Sequence, residues 1–98
     1  MRHATPGGLD RLEGLLASLR GFEALREKKR GTFYREASAF LHVHEDPAGL
    51  FADVKLDGAA FTRLRVTTRA EQGRLLGAVR RALAPPRTPR SRGAARRR

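Results

Sequence analysis

The sequence predicts an α+β fold, an antiparallel sheet of three to five strands with an N-terminal and a C-terminal helix packed on one face. Three observations carry this. Leucines recur every three to four residues near the N-terminus, the hydrophobic period shifts to two between Thr32 and Val66, and a second helical stripe follows Thr68. At 98 residues the chain can hold one small core, which excludes a multidomain enzyme or a repeat scaffold. The expected division is a flexible N-terminus at 1–8, a single α+β domain at 9–84 and a disordered Arg/Pro-rich basic tail at 85–98.

Leu9, Leu12, Leu16 and Leu19, with Leu15 and Phe22 beside them, define an amphipathic helix from about Leu9 to Leu25. Arg11, Glu13, Arg20 and Glu23 take its other faces. Asp10 suits the positive end, and Pro6, Gly7 and Gly8 mark its start. The run Arg26 to Arg30 loses apolar periodicity, and Gly31 ends it. Thr32 to Arg35 then reads as a short first strand and Ala39 to His44 as a clearly alternating second one. Asp46-Pro47-Ala48-Gly49 has turn chemistry, Leu50 to Leu56 alternates again, Asp57-Gly58 signals a hairpin, and Ala60 to Val66 completes a meander. Thr68-Arg69-Ala70-Glu71 fits a capping box for the last helix. Leu75, Leu76, Val79 and Leu83 form its stripe, and Pro85-Pro86 closes it.

Because side chains alternate along a strand, each face of the sheet can be written down. The buried face should carry Leu41 and Val43; Leu50, Ala52, Val54 and Leu56; and Thr62, Leu64 and Val66. The other face then carries Phe40, His42 and His44; Phe51, Asp53 and Lys55; and Phe61, Arg63 and Arg65. Each strand thus offers one phenylalanine followed by polar or basic groups. Such a face can stack nucleic-acid bases on its aromatic rings, for about 1–3 kcal/mol each, while Lys and Arg hold phosphates. The competing explanation is structural: cross-strand Phe pairs stabilise a sheet by about 0.2–1 kcal/mol without any ligand, and a second copy can cover exposed rings.

The charge supports the first reading. Twenty-one Lys and Arg face ten Asp and Glu, a net charge of +11. Six of those charges are the arginines Arg87, Arg90, Arg92, Arg96, Arg97 and Arg98, which leaves +5 for residues 1–84. In a tail such residues add sequence-independent phosphate affinity, although Arg- and Pro-rich ends also accumulate through genomic composition bias.

Other chemistry is thinly represented. The chain has no cysteine, so disulfides, iron–sulfur clusters and thiolate zinc sites are excluded. There is no Gly-x-Ser-x-Gly elbow, and Lys29-Arg30-Gly31-Thr32 lacks the glycine pattern of a phosphate loop. Glu36, His42, His44 and Asp53 are the remaining acid–base pool, and nothing in the sequence pairs them, so no enzyme is expected. His42 and His44 share one side of a strand near Asp53. Two imidazoles and a carboxylate are ligands for Zn, Ni or Fe, but any alternating strand with two His produces this spacing. The expectation is a solvated pair hydrogen-bonded to Asp53, with no metal or other cofactor. No apolar run reaches membrane-span length and no signal-peptide h-region is present, so a cytoplasmic protein with no membrane partner is expected.

Leu9-Asp10-Arg11-Leu12, Gly31-Thr32-Phe33-Tyr34 and Ala39-Phe40-Leu41-His42-Val43-His44-Glu45-Asp46 resemble the MmcQ/YjbR-like family of small bacterial proteins. The resemblance spans residues 9–83. It implies a CyaY-like arrangement of two helices against an antiparallel sheet and a DNA-binding role, with no catalytic motif. It does not extend to frataxin-like iron handling, which uses an acidic first helix. Here Arg11, Arg20, Arg26, Lys28, Lys29 and Arg30 outnumber Asp10, Glu13, Glu23 and Glu27.

The expectation is a non-catalytic nucleic-acid-binding accessory domain, for DNA or RNA. Phe40, Phe51 and Phe61 would stack bases, Lys55, Arg63 and Arg65 would hold phosphates, and Arg96, Arg97 and Arg98 would clamp the backbone. The alternative is a protein-interaction module or homodimer that buries the same aromatic face. No small-molecule substrate is expected.

Overall fold

The computed structural model describes residues 2–84; the expected basic tail, with Arg96, Arg97 and Arg98, lies outside the described residues. The chain runs β1 (Arg2–His3), α1 (Pro6–Arg11), α2 (Glu13–Arg20), β2 (Leu25–Lys29), β3 (Thr32–Arg35), β4 (Ser38–Asp46), β5 (Gly49–Val54), β6 (Thr62–Arg65) and α3 (Arg69–Leu83). The strands form one antiparallel sheet in the order β2-β3-β4-β5-β6, and β1 pairs with β4. The predicted α+β class stands. No helix among the described residues is long and apolar enough to cross a membrane.

One core joins the helices to one face of the sheet. Leu12, Leu15, Leu16 and Leu19 meet Phe33, Leu41, Val43, Leu50, Ala52, Val54 and Val66, with Leu75 and Val79 of α3. Burying each large side chain contributes about 1.5–3 kcal/mol relative to leaving it exposed. Alternation places these residues correctly along β5 and β6, except that Thr62 is exposed and Leu56 and Leu64 are half-buried near the margin.

In the N-terminal part of the chain three expectations require correction. The N-terminal segment is part of the fold. Glu45 of β4 accepts hydrogen bonds from the Thr5 amide at 2.9 Å and the Thr5 hydroxyl at 2.7 Å, while the same hydroxyl caps α1 by accepting from the Gly8 amide. The helix start sits so tightly that a Cβ on Gly8 would stand 2.5 Å from Glu45 Oε1. The leading helix is also broken in two at Leu12, whose backbone leaves helical geometry at φ −99° and ψ 6°.

Finally, that helix ends before Gly21, not near Leu25, and most of the charged run without apolar periodicity belongs to the edge strand β2. Glu27 faces back toward α2, where Arg20 binds its carboxylate, and its Oε2 accepts from the Gly31 amide at 2.9 Å. Gly31 makes the return into β3. Its φ is +85°, and a Cβ there would meet Leu9 and Val43 at 2.7 and 2.8 Å. Lysines on an edge strand also discourage pairing with another sheet.

Of the remaining turns, one keeps its expected form and one is longer than expected. Asp46 Oδ1 accepts from the Ala48 amide in the two-residue loop that joins β4 to β5. Asp57 Oδ1 accepts from the Ala59 and Ala60 amides, which makes the Asp57-Gly58 connection a longer loop than a tight hairpin. At the start of α3 the Thr68 hydroxyl accepts from the Glu71 amide, and Glu71 accepts from the Thr68 amide, completing the predicted capping box.

Candidate functional site

The face opposite the helices is built from two cross-strand rows. One reads Thr32, His42, Asp53, Arg63 from β3 to β6; the next reads His3, His44, Phe51, Arg65. Register and alternation therefore bring together all the predicted residues of β5 and β6 and both histidines of β4.

Phe40 is the exception. It is 3% exposed and belongs to the core cluster. Phe33 pairs with Leu41 but Tyr34 pairs with Ala39, so a bulge in β4 makes Phe40 the extra residue. A count by twos does not survive such an insertion. Phe40 is thereby removed from the set of rings that can stack a base. Phe51 is half-buried in its row, whereas Phe61, just before β6, is 43% exposed. Phe61 is the one large hydrophobic side chain exposed among the described residues. Its ring meets His42 edge-on at a centroid distance of 5.0 Å, and the Lys55 ammonium lies 5.1 Å from its centre. That is cation–π range.

Beneath this pair lies a polar node. Asp53 is 8% exposed and accepts two parallel bonds from Arg63, Nε to Oδ1 at 2.7 Å and Nη2 to Oδ2 at 2.8 Å. Arg63 holds the Asp53 carboxyl below its ordinary value, against the opposing effect of burial. His42 is shifted down, first by burial and then by His44, with Asp53 opposing. The two imidazoles pack at 81° with centroids 4.5 Å apart.

His44 differs from the expected solvated, hydrogen-bonded group. Both of its ring nitrogens are buried and neither has a hydrogen-bond partner among the described residues. Nε2 is 3.2 Å from Asp53 Oδ2, close enough for an ion pair but not aligned for a hydrogen bond. The nitrogens and carboxylate oxygens of His42, His44 and Asp53 that could serve as ligands lie within 4.8 Å of one another.

The cations divide into bound and unbound. Arg63 is committed to Asp53, and Arg65 reaches sideways to both Glu71 oxygens at 3.1 and 3.0 Å and toward the Ala48 carbonyl. Lys55 forms no ion pair among the described residues, nor do Arg26 and Lys28. Arg26 and Lys28 stand outside the predicted site because their segment shows no apolar periodicity that marks it as a strand. Arg26 pairs with Tyr34 on the same face, and the Lys28 ammonium lies 4.7 Å from the Tyr34 ring centre. The one local hint is the alternation of Leu25 and Glu27 with Arg26 and Lys28 ahead of Gly31, and with a single apolar residue it is too weak to identify a strand. The face thus carries two Lys–aromatic pairs, Lys28–Tyr34 on its β2 side and Lys55–Phe61 on its β6 side.

Comparison with family models, with curated proteins and with solved structures returned no match.

Proposed function

We propose that the chain is a non-catalytic, cytoplasmic nucleic-acid-binding accessory domain that receives single-stranded nucleic acid on the sheet face opposite its helices. The observation that carries the reading is the placement of Phe61. The large apolar side chain exposed among the described residues is an aromatic ring on that face, and an ammonium group with no ion-pair partner among those residues, Lys55, sits over it. A base stacks on the ring while Lys55 takes a phosphate, and Tyr34 with Lys28 repeats the arrangement across the sheet. Arg63 and Arg65 contribute their field from existing ion pairs rather than as free hands. The resemblance to the MmcQ/YjbR-like family points the same way. A homodimer would need roughly 800 Å² of buried surface per copy, and one open phenylalanine instead of three supports that alternative less well.

Fluorescence anisotropy of the full chain with labelled single-stranded DNA and RNA, across a salt series, tests the proposal. Binding should weaken with salt at a slope of about 0.7 per phosphate contacted. Phe61→Ala combined with Lys55→Ala should lower affinity about tenfold, the loss of one stacked base. Replacing Arg96, Arg97 and Arg98 with Ala should reduce the salt slope and leave the contribution of Phe61 intact. If the Phe61 and Lys55 variant binds as well as the parent, the folded face is not the site.

A further inference from the structure

We infer that His42, His44 and Asp53 form a binding site for one zinc-class divalent ion at the centre of the open sheet face, and that Arg63 is the cation that holds its carboxylate when the metal is away. This inference stands apart from the nucleic-acid reading and shares with it only the face.

The donor set is the first reason. Two imidazole nitrogens and a carboxylate oxygen suit Zn²⁺ and its neighbours rather than Mg²⁺ or Ca²⁺, which prefer all-oxygen sites. The second is placement. His42 and His44 project from alternate positions of β4, Asp53 is the direct cross-strand partner of His42, and the ligand atoms lie within 4.8 Å of one another. A tetrahedral ion with ligand distances near 2.1 Å sets donors about 3.4 Å apart, so rotation of the side chains about their χ angles closes the set.

The third is the state of His44. The ring is half-buried, both of its nitrogens are buried, and neither has a hydrogen-bond partner among the described residues, Nε2 only facing the Asp53 carboxylate at 3.2 Å. A buried polar atom left without a hydrogen bond calls for an explanation, and a bound ion supplies one. Coordination gives one of those nitrogens its partner. With three protein ligands a fourth position remains for water or an anionic oxygen.

Arg63 gives the site its distinctive property. Its guanidinium occupies both Asp53 oxygens, yet its side chain is 51% exposed and free to swing outward. Metal entry therefore displaces a cation, and removing that cation should strengthen metal binding. Loss of function from a misfolded variant cannot imitate such a gain.

The test is titration of the full, untagged chain with ZnCl₂ by calorimetry, and with CoCl₂ by the visible d–d bands that report imidazole and carboxylate ligation. One ion per chain at micromolar affinity is expected. His42→Gln and His44→Gln should each weaken binding at least about tenfold, as loss of a ligand does. Arg63→Gln should tighten it about tenfold, because one competing positive charge is gone. Circular dichroism checks that each variant is folded. Absence of binding at millimolar Zn²⁺, retention of full affinity in the His42→Gln, His44→Gln double variant, or weaker binding in Arg63→Gln overturns the inference.

Discussion

The two faces of this sheet are held by different physics. On the helix side Leu41, Val43, Leu50, Ala52 and Val54 are sealed beneath leucines from α2 and residues from α3. On the other side a buried aspartate, two packed histidines and an exposed phenylalanine sit among cations. The first face is saturated, since every side chain there has already found its partners. The second retains unmet capacity in the His44 nitrogens, the Phe61 ring and the Lys55 ammonium. Stability therefore resides mainly on one face, and the other is available for recognition.

Core truncation should break this contrast most severely. Leu16→Ala empties a fully buried position under the sheet and should cost about 2–5 kcal/mol in denaturant unfolding, whereas Phe61→Ala should cost less than about 1 kcal/mol. Comparable losses at the two positions would mean that the open face is also core. Next comes Asp53→Ala, which strips the carboxylate from Arg63 and should cost about 1–3 kcal/mol despite lying on the recognition face. An unchanged unfolding midpoint would show the node to be structurally idle.

A smaller effect concerns pH. Burial raises the Glu27 carboxyl, but its bonds from Arg20 and the Gly31 amide outweigh this and leave it below its ordinary value. A carboxyl depressed on folding contributes stability that is complete above its unfolded value, near pH 4.3, and is lost as pH falls through the lower folded one. Glu27→Gln should thus lower stability at pH 7 and lessen the acid dependence below about pH 4.5, measured as unfolding midpoint against pH. An identical acid profile would remove Glu27 from the account. The smallest effect is a gain. Glu36 holds φ at +56° in the two-residue loop between β3 and β4, where a side chain is strained. Glu36→Gly should stabilise the protein by up to about 1 kcal/mol, and a loss would show that the Glu36 side chain has a role there.

Much of this architecture is legible in the residues. Period-two alternation places Leu50, Ala52 and Val54 opposite Phe51 and Asp53, and Thr68 with Glu71 announces α3. The features that escape are those governed by contacts distant in sequence or by a single inserted residue. Glu45 orders Thr5 from 40 residues away, which no local pattern reveals. The β4 bulge moves Phe40 from recognition face to core, and an edge strand made of Arg26 to Lys29 carries too little apolar signal to announce itself. At the site, alternation brings Lys55, Phe61, Arg63 and the histidines into view together. It does not reveal that Arg63 is committed to Asp53 or that the His44 nitrogens are buried without a hydrogen-bond partner among the described residues, because both depend on side-chain packing.

The most direct measurement is a titration of the isotope-labelled full chain with a single-stranded oligonucleotide, followed by amide and aromatic chemical shifts. Perturbations concentrated at Tyr34, His42, Phe51, Lys55, Phe61 and Arg63, with α2 and the core strand positions unmoved, are the predicted result. Perturbations confined to α2 and α3, or to residues beyond 84, would contradict the assignment of recognition to the open face.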